Sequence, residues 1–364
     1  MRKRELRIPK SCNPVHPVFK NTLTCSLCFC PRKNTRTELH RLYHPQHMAE
    51  TSFRIVFMGT GDIAIPAFSS LLENDLVALV TQPDKPVGRK QVLTPPAIKT
   101  LAQQHDIPVL QPERARDKAF LAELAAFQPD LIVVMAYGQI LSQALLDIPT
   151  VACINLHASL LPRFRGAACI QAAIDSGDSH TGITVMHVVK ALDAGDIILK
   201  KATAIGVRET GGELHDRLAD LAPEALADAL QQLKDGSATR TLQNENEVSY
   251  IPKLMREHGE IEWSQPATSL ERRIRAYDPW PGTSTSFTDK KGRARRLKIF
   301  PQVTVSNASG QPGEVKITED GGLLVCCGQG ALQIEEVQPD GSRRMSVEDF
   351  LKGAVIENGS VLGA

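Results

Sequence analysis

The chain has 364 residues, of which 42% are hydrophobic and 23% charged, and this composition is typical of a globular protein with two domains. No run of 18 or more apolar residues occurs, so we expect no membrane-spanning helix. The formal net charge of +1 is unevenly spread, because residues 1–47 hold ten Lys and Arg against two acids and leave the remainder with a net charge of −7. Any attraction for nucleic acid must therefore come from a local basic patch.

The basic leader at residues 1–47 contains four of the eight cysteines, including a Cys-x-x-Cys pair. A zinc knuckle is one hypothesis, and a targeting segment is another. However, no second Cys-x-x-Cys follows at zinc-finger spacing, and prolines would interrupt an amphipathic targeting helix. We favour an upstream extension that contributes nothing to the fold, which leaves open whether translation begins at Met1 or Met48. The other four cysteines are expected to be buried thiols in a reducing compartment.

Residues 48–240 predict one doubly wound, Rossmann-like α/β domain. Its strands are expected in FRIVFMG, DLVALV, DIPVL, DLIVVM and VACINLH, and helical stretches such as PAIKTLAQQ lie between them. Strands that are apolar on both faces indicate a parallel sheet covered by helices on both sides. The amphipathic segment GGELHDRLADLAPEALADALQQLKDG predicts a long helix near the end of this domain.

After a polar linker predicted at residues 241–255, the pattern changes. Short strands separated by turns predict a small antiparallel, OB-like β-barrel over residues 256–364. Residues 250–300 hold eleven Lys and Arg against six acids, which is a concentrated basic patch on a mildly acidic body. Such a patch indicates either phosphate contacts with RNA or a solvated face of the barrel.

The first predicted strand is followed by Gly59-Thr-Gly61-Asp-Ile-Ala64, which matches the dinucleotide fingerprint G-x-G-x-x-A. That fingerprint requires an acid at the end of the second strand to bind a ribose. Here the second strand ends in Thr81-Gln-Pro, and Asp84 follows only after the proline. We therefore favour a tight turn that the glycines permit without strain, and nucleotide binding is the alternative.

The stretch INLHASLLPRFRG at residues 154–166 carries the candidate catalytic residues. Asn155 and His157 are two residues apart on an extended segment, so their side chains point the same way. They lie where the fifth strand ends, at the edge where α/β sheets bind ligands. An amide donor beside an imidazole that titrates near neutrality indicates a site where charge develops on an oxygen. A downstream turn with Asp193 and Asp196 at the same edge could orient or charge the imidazole.

Taken together, three motifs resemble the signature of the folate-dependent formyltransferases: Asn-x-His, Ser-Leu-Leu-Pro-x-x-Arg-Gly and Leu-Asp-x-Gly-Asp. The resemblance extends from about Phe53 to the C-terminus. It implies transfer of a formyl group from 10-formyltetrahydrofolate, a co-substrate, without a metal ion. The residues that it implies for catalysis are Asn155, His157 and Asp193. Those that it implies for the folate pocket are Ser159, Leu160, Leu161, Pro162, Tyr137 and Gly138.

In such a site, Asn155 and His157 would donate hydrogen bonds to the oxyanion of the tetrahedral intermediate. Asp193 would pair with His157, hold its orientation and raise its pKa. Arg163 and Arg165 would either frame the loop through salt bridges or contact the ligand.

Three further stretches resemble the branch of this family that formylates an aminoacylated tRNA: TQPDKPVGRK, YIPKLMREHGEIEWS and LERRIRAYDPWPGT. Family members that act on small substrates lack the appended barrel. The resemblance implies initiator methionyl-tRNA as the partner, and its contacts would be Arg89, Lys90, Arg293, Arg295 and Arg296. A monomeric cytoplasmic enzyme without membrane attachment is the corresponding expectation.

The sequence departs from the family pattern at Cys169, where proline is usual, at Ala158, where glycine is common, and after Arg89, where glycine and lysine are more frequent. None of these positions is a predicted catalytic residue. Several alternatives stay open. The same active site could release formate or formylate an amino sugar, the Gly59 turn could serve an NAD-dependent dehydrogenase, or the chain could be a non-catalytic RNA-binding protein.

Overall fold

The computed structural model describes residues 52–363, apart from residues 74–75, 89, 290, 320 and 354–355. The zinc knuckle, the targeting segment and the upstream extension predicted for residues 1–47 lie outside the described residues, and so does Arg89. Residues 50–364 group into one compact unit. Among the described helices, none combines the length and apolar character needed to cross a membrane.

The N-terminal part alternates strands and helices, as predicted. In chain order its elements are β1 (Ile55–Gly59), α1 (Ile65–Ser69), β2 (Leu76–Val80), β3 (Lys85–Val87), β4 (Val92–Thr94), α2 (Ala97–Gln104), β5 (Val109–Leu110), α3 (Lys118–Ala126), β6 (Leu131–Met135), α4 (Gln143–Leu146), β7 (Ala152–His157), β8 (Arg165–Gly166), α5 (Cys169–Asp175), β9 (His180–His187), β10 (Ile197–Ala204) and α6 (Gly211–Lys234).

The central sheet has seven strands in the order β10-β9-β7-β6-β1-β2-β5. The five strands from β7 to β5 run parallel, which confirms the doubly wound expectation. The expectation of a parallel sheet does not extend to the other edge, because β9 pairs antiparallel with β7 and β10 pairs antiparallel with β9. Most of β10 alternates between more and less exposed residues, a pattern that suits an antiparallel edge strand with one solvated face.

Both faces of the sheet are covered by apolar residues. Along β1, Ile55 and Phe57 belong to one core cluster, whereas Val56 and Met58 belong to another. This alternation follows from the period of two along a strand. Helix α6 packs its apolar stripe into the first cluster, and it begins at a capping box in which Thr210 and Glu213 satisfy free amides of the first turn.

The C-terminal part consists mainly of antiparallel strands, as predicted. Its elements are β11 (Tyr250–Ile251), α7 (Ala267–Ala276), β12 (Thr283–Thr288), β13 (Ala294–Ile299), β14 (Val303–Ser306), β15 (Val315–Ile317), β16 (Leu323–Cys326), β17 (Ala331–Ile334), β18 (Glu336–Pro339), β19 (Met345–Ser346) and α8 (Val347–Gly353). The strands form two four-stranded sheets, β12-β13-β18-β19 and β14-β17-β16-β15, which share one core around Trp263, Leu297 and Leu332.

Helix α7 packs against α5 of the N-terminal part. The Arg272 Nε atom donates to the carbonyl oxygen of Asp175 at 3.0 Å, and Arg275 Nη1 donates to that of Glu209 at 2.8 Å. Arg275 is buried. Part of the basic patch predicted at residues 250–300 therefore faces the N-terminal part instead of solvent.

Candidate active site

A cavity of about 690 Å³ opens at the carboxyl ends of the parallel strands β6 and β7. The turn between β9 and β10 closes one side of it. Among the residues that line it are Tyr137, Gly138, Asn155, His157, Cys169 and Asp193. The structure therefore brings all three predicted catalytic residues to one cavity. For Asn155 and His157 this placement follows from the sheet, because parallel strands deliver their carboxyl ends to the same edge. Asp193 instead comes from the turn after β9, which runs antiparallel to β7.

The imidazole of His157 is held between two oxygen atoms. It is 7% exposed, and its Nε2 atom lies 2.9 Å from the carbonyl oxygen of Phe164. Because a carbonyl can only accept, Nε2 carries a proton and the ring orientation is fixed. The Nδ1 atom lies 3.7 Å from Oδ2 of Asp193, a separation that suits an ion pair but exceeds a hydrogen bond. The backbone of Phe164, which sequence reasoning did not anticipate, thus holds the ring.

The surroundings of the buried His157 imidazole favour its charged form. Burial of the imidazole opposes its positive charge, but the Cys169 sulfur, the Asp193 carboxylate and the Phe164 carbonyl together raise the pKa of His157 to about 9. A protonated imidazole presents a donor at Nδ1 toward the cavity. The side chain of Asn155, two residues earlier on β7, lines the same cavity. Asn155 and His157 therefore line one cavity, as their spacing predicts.

Asp193 is fixed by the backbone of the neighbouring loop. The amide of Gly166 donates to Oδ2 of Asp193 at 2.8 Å. Gly166 has φ of +107°, and a Cβ atom there would lie 2.3 Å from the carbonyl oxygen of Ile251. Only glycine suits this position, which explains the Arg-Gly end of the motif. Asp193 itself has φ of +50°, an uncommon conformation for a residue other than glycine.

Arg165 frames the loop and does not line the cavity. Its side chain is 1% exposed, and the guanidinium donates to the side chains of Gln243, Glu245 and Tyr250 at 2.8–3.4 Å. Strand β11 also pairs in parallel with β8. The segment predicted as a linker at residues 241–255 therefore lies directly against the catalytic loop.

The residues from Ser159 to Pro162 do not line the cavity. The hydroxyl of Ser159 donates to the carbonyl of Arg163 at 2.8 Å, and its own carbonyl accepts from the Thr184 hydroxyl at 2.6 Å. The amide of Leu161 donates to the same Thr184 oxygen at 3.1 Å. These contacts pin the loop to β9 and support Phe164 and Arg165. Contact of these four residues with folate stays a prediction.

Tyr137 and Gly138, predicted for the same pocket, do line the cavity. The carbonyl of Tyr137 accepts hydrogen bonds from the Thr60 hydroxyl at 3.2 Å and from Gln82 Nε2 at 2.9 Å. Burial raises the pKa of the Tyr137 phenol to about 12, so it is neutral. No described residue hydrogen-bonds its buried hydroxyl.

The glycine turn after β1 is closely packed. The amides of Thr60 and Gly61 both donate to the carbonyl of Ala136, at 3.2 and 3.3 Å. A Cβ atom on Gly59 would lie 3.0 Å from the carbonyl of Met135. The amides that a bound pyrophosphate would need are thus engaged, which supports a tight turn over a nucleotide site.

The stretch predicted to engage tRNA forms the β3–β4 hairpin, and all six of its strand residues are exposed. Lys90 is exposed between the two strands. The hairpin also exposes more than half of three apolar side chains, Val87, Val92 and Leu93. An exposed apolar group of this kind is typical of a surface that contacts a partner.

The base of this hairpin is anchored to the domain. Asp84 accepts from Gln111 Nε2 at 2.8 Å and from Lys99 Nζ at 2.8 Å. Both hydrogen bonds lower the pKa of Asp84, and the bond from Gln111 has the larger effect. The hairpin is therefore fixed where it leaves the sheet and exposed along its strands.

The three arginines predicted to bind tRNA from the C-terminal part already have protein partners. Arg293 donates to the Asp289 carboxylate from Nε at 3.0 Å and from Nη2 at 2.8 Å. Arg295 and Arg296 donate to the Asp340 carbonyl and the Ser284 hydroxyl, at 2.9 and 2.8 Å. The Arg293 side chain is nevertheless 58% exposed. Each guanidinium keeps further N–H groups beyond these bonds, because arginine carries five donors.

Known proteins resemble the chain over most of its length. The family profile described as formyl transferase matches residues 53–230, and that of the formyl transferase C-terminal domain matches residues 253–355. A methionyl-tRNA formyltransferase from Akkermansia muciniphila is 55% identical over 302 residues, which cover 82% of this chain and 96% of that protein. Another from Geobacter metallireducens is 44% identical over 311 residues, which cover 85% and 98%.

Solved structures share the fold at lower identity. HypX from Aquifex aeolicus, solved in complex with tetrahydrofolic acid, superposes with a TM-score of 0.54 at 19% identity, and the match covers 83% of this chain and 47% of that one. WlaRD, a sugar 3N-formyl transferase solved in the presence of dTDP and 5-N-formyl-THF, gives a TM-score of 0.57 at 16% identity, covering 80% and 99%. At these identities the likeness shows the fold alone.

Proposed function

The chain belongs to the formyl transferase family, and on that premise we propose that it transfers the formyl group of 10-formyltetrahydrofolate to the free amino group of methionyl initiator tRNA. The formylated product serves translation initiation. Relatives that are 55% and 44% identical carry the name methionyl-tRNA formyltransferase, and the chain spans nearly their whole length. Neither an NAD-dependent dehydrogenase nor a non-catalytic RNA-binding protein fits this membership.

One observation carries the chemistry: the His157 imidazole is held by the Phe164 carbonyl and faces Asp193, in a cavity that both share with Asn155. Formyl transfer develops negative charge on the formyl oxygen when the amine attacks. Two fixed donors, Asn155 and the Nδ1–H of His157, suit that oxygen. Donors arranged in advance stabilise such a transition state at little reorganisation cost.

The proton balance assigns a task to each residue. The neutral amine forms a bond to the formyl carbon and then loses a proton to Asp193, directly or through one water. His157 gives its proton to N10 as the bond from N10 to the formyl carbon breaks. The proton on Asp193 then returns the imidazole to its charged form. The products are N-formylmethionyl-tRNA and tetrahydrofolate, and the enzyme is unchanged.

The cavity suits a folate co-substrate with an extended aromatic body. Its lining is mainly apolar and includes Met135, Ile140 and Leu141 together with the polar groups proposed for catalysis. Ligand pockets generally combine such walls with a few fixed polar groups. Tyr137 and Gly138 belong to the lining and would contact the folate.

The acceptor tRNA would contact two surfaces. We place its acceptor end at the β3–β4 hairpin, with Arg89 and Lys90, and its backbone at Arg293, Arg295 and Arg296. The corresponding division is a catalytic domain at 48–240, a connecting segment at 241–255 and a tRNA-binding domain at 256–364. A cytoplasmic monomer completes the proposal.

The test is formyl transfer from labelled 10-formyltetrahydrofolate to a panel of acceptors: methionyl initiator tRNA, methionyl elongator tRNA, a dTDP-linked amino sugar and water. Label in N-formylmethionyl initiator tRNA supports the proposal. Label released only as formate would assign a hydrolase, and label on the sugar would assign an amino-sugar formyltransferase. The three outcomes separate the acceptor from the folate chemistry, because each requires the same donor.

A further inference from the structure

The side-chain amide of Gln243 joins two loops of the active site. Its Nε2 atom donates to the carbonyl oxygens of Asp193 and Gly195, both at 2.8 Å. Its Oε1 atom accepts from Nε and Nη2 of Arg165, at 3.0 and 2.9 Å. Gln243 lies 50 residues from Asp193 and 78 from Arg165 along the chain. One amide therefore ties the connecting segment to both loops.

Only glutamine satisfies all these partners. A guanidinium is solely a donor and a carbonyl solely an acceptor, so Oε1 must face Arg165 and Nε2 must face the turn. This requirement fixes the orientation of the amide. A glutamate would keep the acceptor for Arg165 but would lose both donors and place a negative charge against two carbonyl oxygens. A leucine would fill similar volume without any hydrogen bond.

The hydrogen bonds form a closed path around the catalytic carboxylate. Arg165 is followed by Gly166, whose amide holds the Asp193 carboxylate at 2.8 Å. Gln243 holds the backbone of the same aspartate, which adopts an uncommon positive φ. Gly166 thus holds the carboxylate of Asp193, and Gln243 holds its main chain. The carboxylate held in this way lies 3.7 Å from Nδ1 of His157.

We propose that Gln243 is a positioning residue that sets the geometry between Asp193 and His157 during formyl transfer. The inference rests on the proposed function. Gln243 touches neither reacting atom, so its effect passes through Asp193. Gln243 lies in the segment that connects the two domains. Full activity therefore requires this segment to be packed against the two loops.

The experiment compares the native chain with Gln243→Glu and Gln243→Leu, with Asn244→Ala as the matched control. Asn244 is the adjacent amide residue, and its side chain contacts only Asn246 and Glu247 of the same segment among the described residues. We expect both Gln243 variants to lower kcat by roughly 10- to 100-fold, as small displacements of catalytic groups do. The KM for each substrate should change less than about twofold, and Asn244→Ala should behave like the native chain.

A double-mutant cycle distinguishes positioning from general support of the fold. If Gln243 acts through Asp193, adding Gln243→Leu to Asp193→Asn causes little further loss of kcat. An equal loss in both backgrounds, or a native kcat for Gln243→Leu, would overturn the inference. Melting temperatures identify any unfolded variant, in which case Gln243→Met, an unbranched side chain of similar length, repeats the comparison. Failure of the native chain to formylate any tRNA would instead refute the proposed function.

Discussion

Two loops leave the same edge of the central sheet and differ in almost every physical respect. The loop after β7 buries its functional groups, with His157 at 7% and Arg165 at 1% exposed, and hydrogen bonds hold it from both sides. The β3–β4 hairpin after β2 exposes 64% of Leu93 and is anchored mainly at its base. The first arrangement suits chemistry, which requires fixed distances. The second suits contact with a large partner.

This contrast has a consequence for substitutions. Changes in the buried loop should alter kcat, because catalytic groups lose their positions or their charge. Changes on the hairpin should alter the KM for tRNA and leave kcat intact, because no reacting atom is there. A hairpin substitution that lowered kcat, or a buried-loop substitution that changed only the KM for tRNA, would disprove this separation of roles.

The largest effect is expected for His157→Ala. Removing a preorganised donor to a developing oxyanion typically costs about 2.7–4 kcal/mol, which corresponds to a 10²- to 10³-fold fall in kcat. Asn155→Ala should lower kcat by a similar factor, and the KM for the folate should change little. Single-turnover formyl transfer at saturating substrates measures the chemical step directly. Loss confined to KM would mean that the pair binds folate without stabilising the transition state.

The pH dependence tests the charge on His157. Its pKa of about 9 exceeds the ordinary value of about 6.5, so the folded chain keeps a proton that the unfolded chain releases between these values. The contribution of this proton to the free energy of unfolding is fully present below about pH 6.5 and is lost as the pH rises through 9. Likewise, kcat should fall about tenfold per pH unit above 9.

Asp193→Asn sharpens this measurement. Removing the carboxylate removes one contact that raises the His157 pKa, so the upper limb of the kcat profile should move to lower pH. Asp178→Asn, which alters an acid paired with the half-exposed Arg163, is the control. An unchanged upper limb in Asp193→Asn would show that the titrating group is not His157.

Sequence reasoning brought the three predicted catalytic side chains together but did not find the groups that support them. The spacing of Asn155 and His157 on a strand and the Asp193 turn were sufficient to place all three at one edge. The Phe164 carbonyl and the Gly166 amide are backbone groups, which carry no residue-specific signal. The glycine of the motif was the one available hint, since a close approach to Ile251 excludes a side chain.

The sheet and the connecting segment show a second limit. Alternation of strands and helices predicts a parallel sheet, yet it cannot reveal that β9 runs antiparallel to both of its neighbours, β7 and β10, at one edge. The segment at 241–255 is polar and was predicted to be a linker. Its polar residues instead bond the catalytic loops. Polarity indicates solvent or a hydrogen-bonding partner, and sequence alone does not distinguish the two.

The hairpin should respond to Leu93→Ser with a smaller effect than the catalytic loop. Burying a leucine against a partner contributes about 1.5–3 kcal/mol, so the KM for methionyl-tRNA should rise roughly tenfold or more. The folate KM, kcat and melting temperature should stay native because Leu93 is exposed. Val207→Ser, at an apolar residue that is 90% exposed on another loop, is the matched control. Equal behaviour of the two variants would remove the hairpin from the tRNA interface.

The smallest effect is expected for Arg293→Gln. Two hydrogen bonds from Arg293 and backbone donors hold the pKa of Asp289 at about 2, so this carboxylate stays charged and neutralises the guanidinium. A tRNA phosphate gains little from a guanidinium whose charge Asp289 already neutralises, and we expect a rise of only roughly two- to threefold in the tRNA KM. Asp289→Asn should free the guanidinium, lower the KM and steepen its salt dependence. If Arg293→Gln instead raised the tRNA KM as much as Leu93→Ser, the C-terminal strands would contribute as much to tRNA binding as the hairpin. The buried loop would then have to be contrasted with two exposed contact surfaces instead of one.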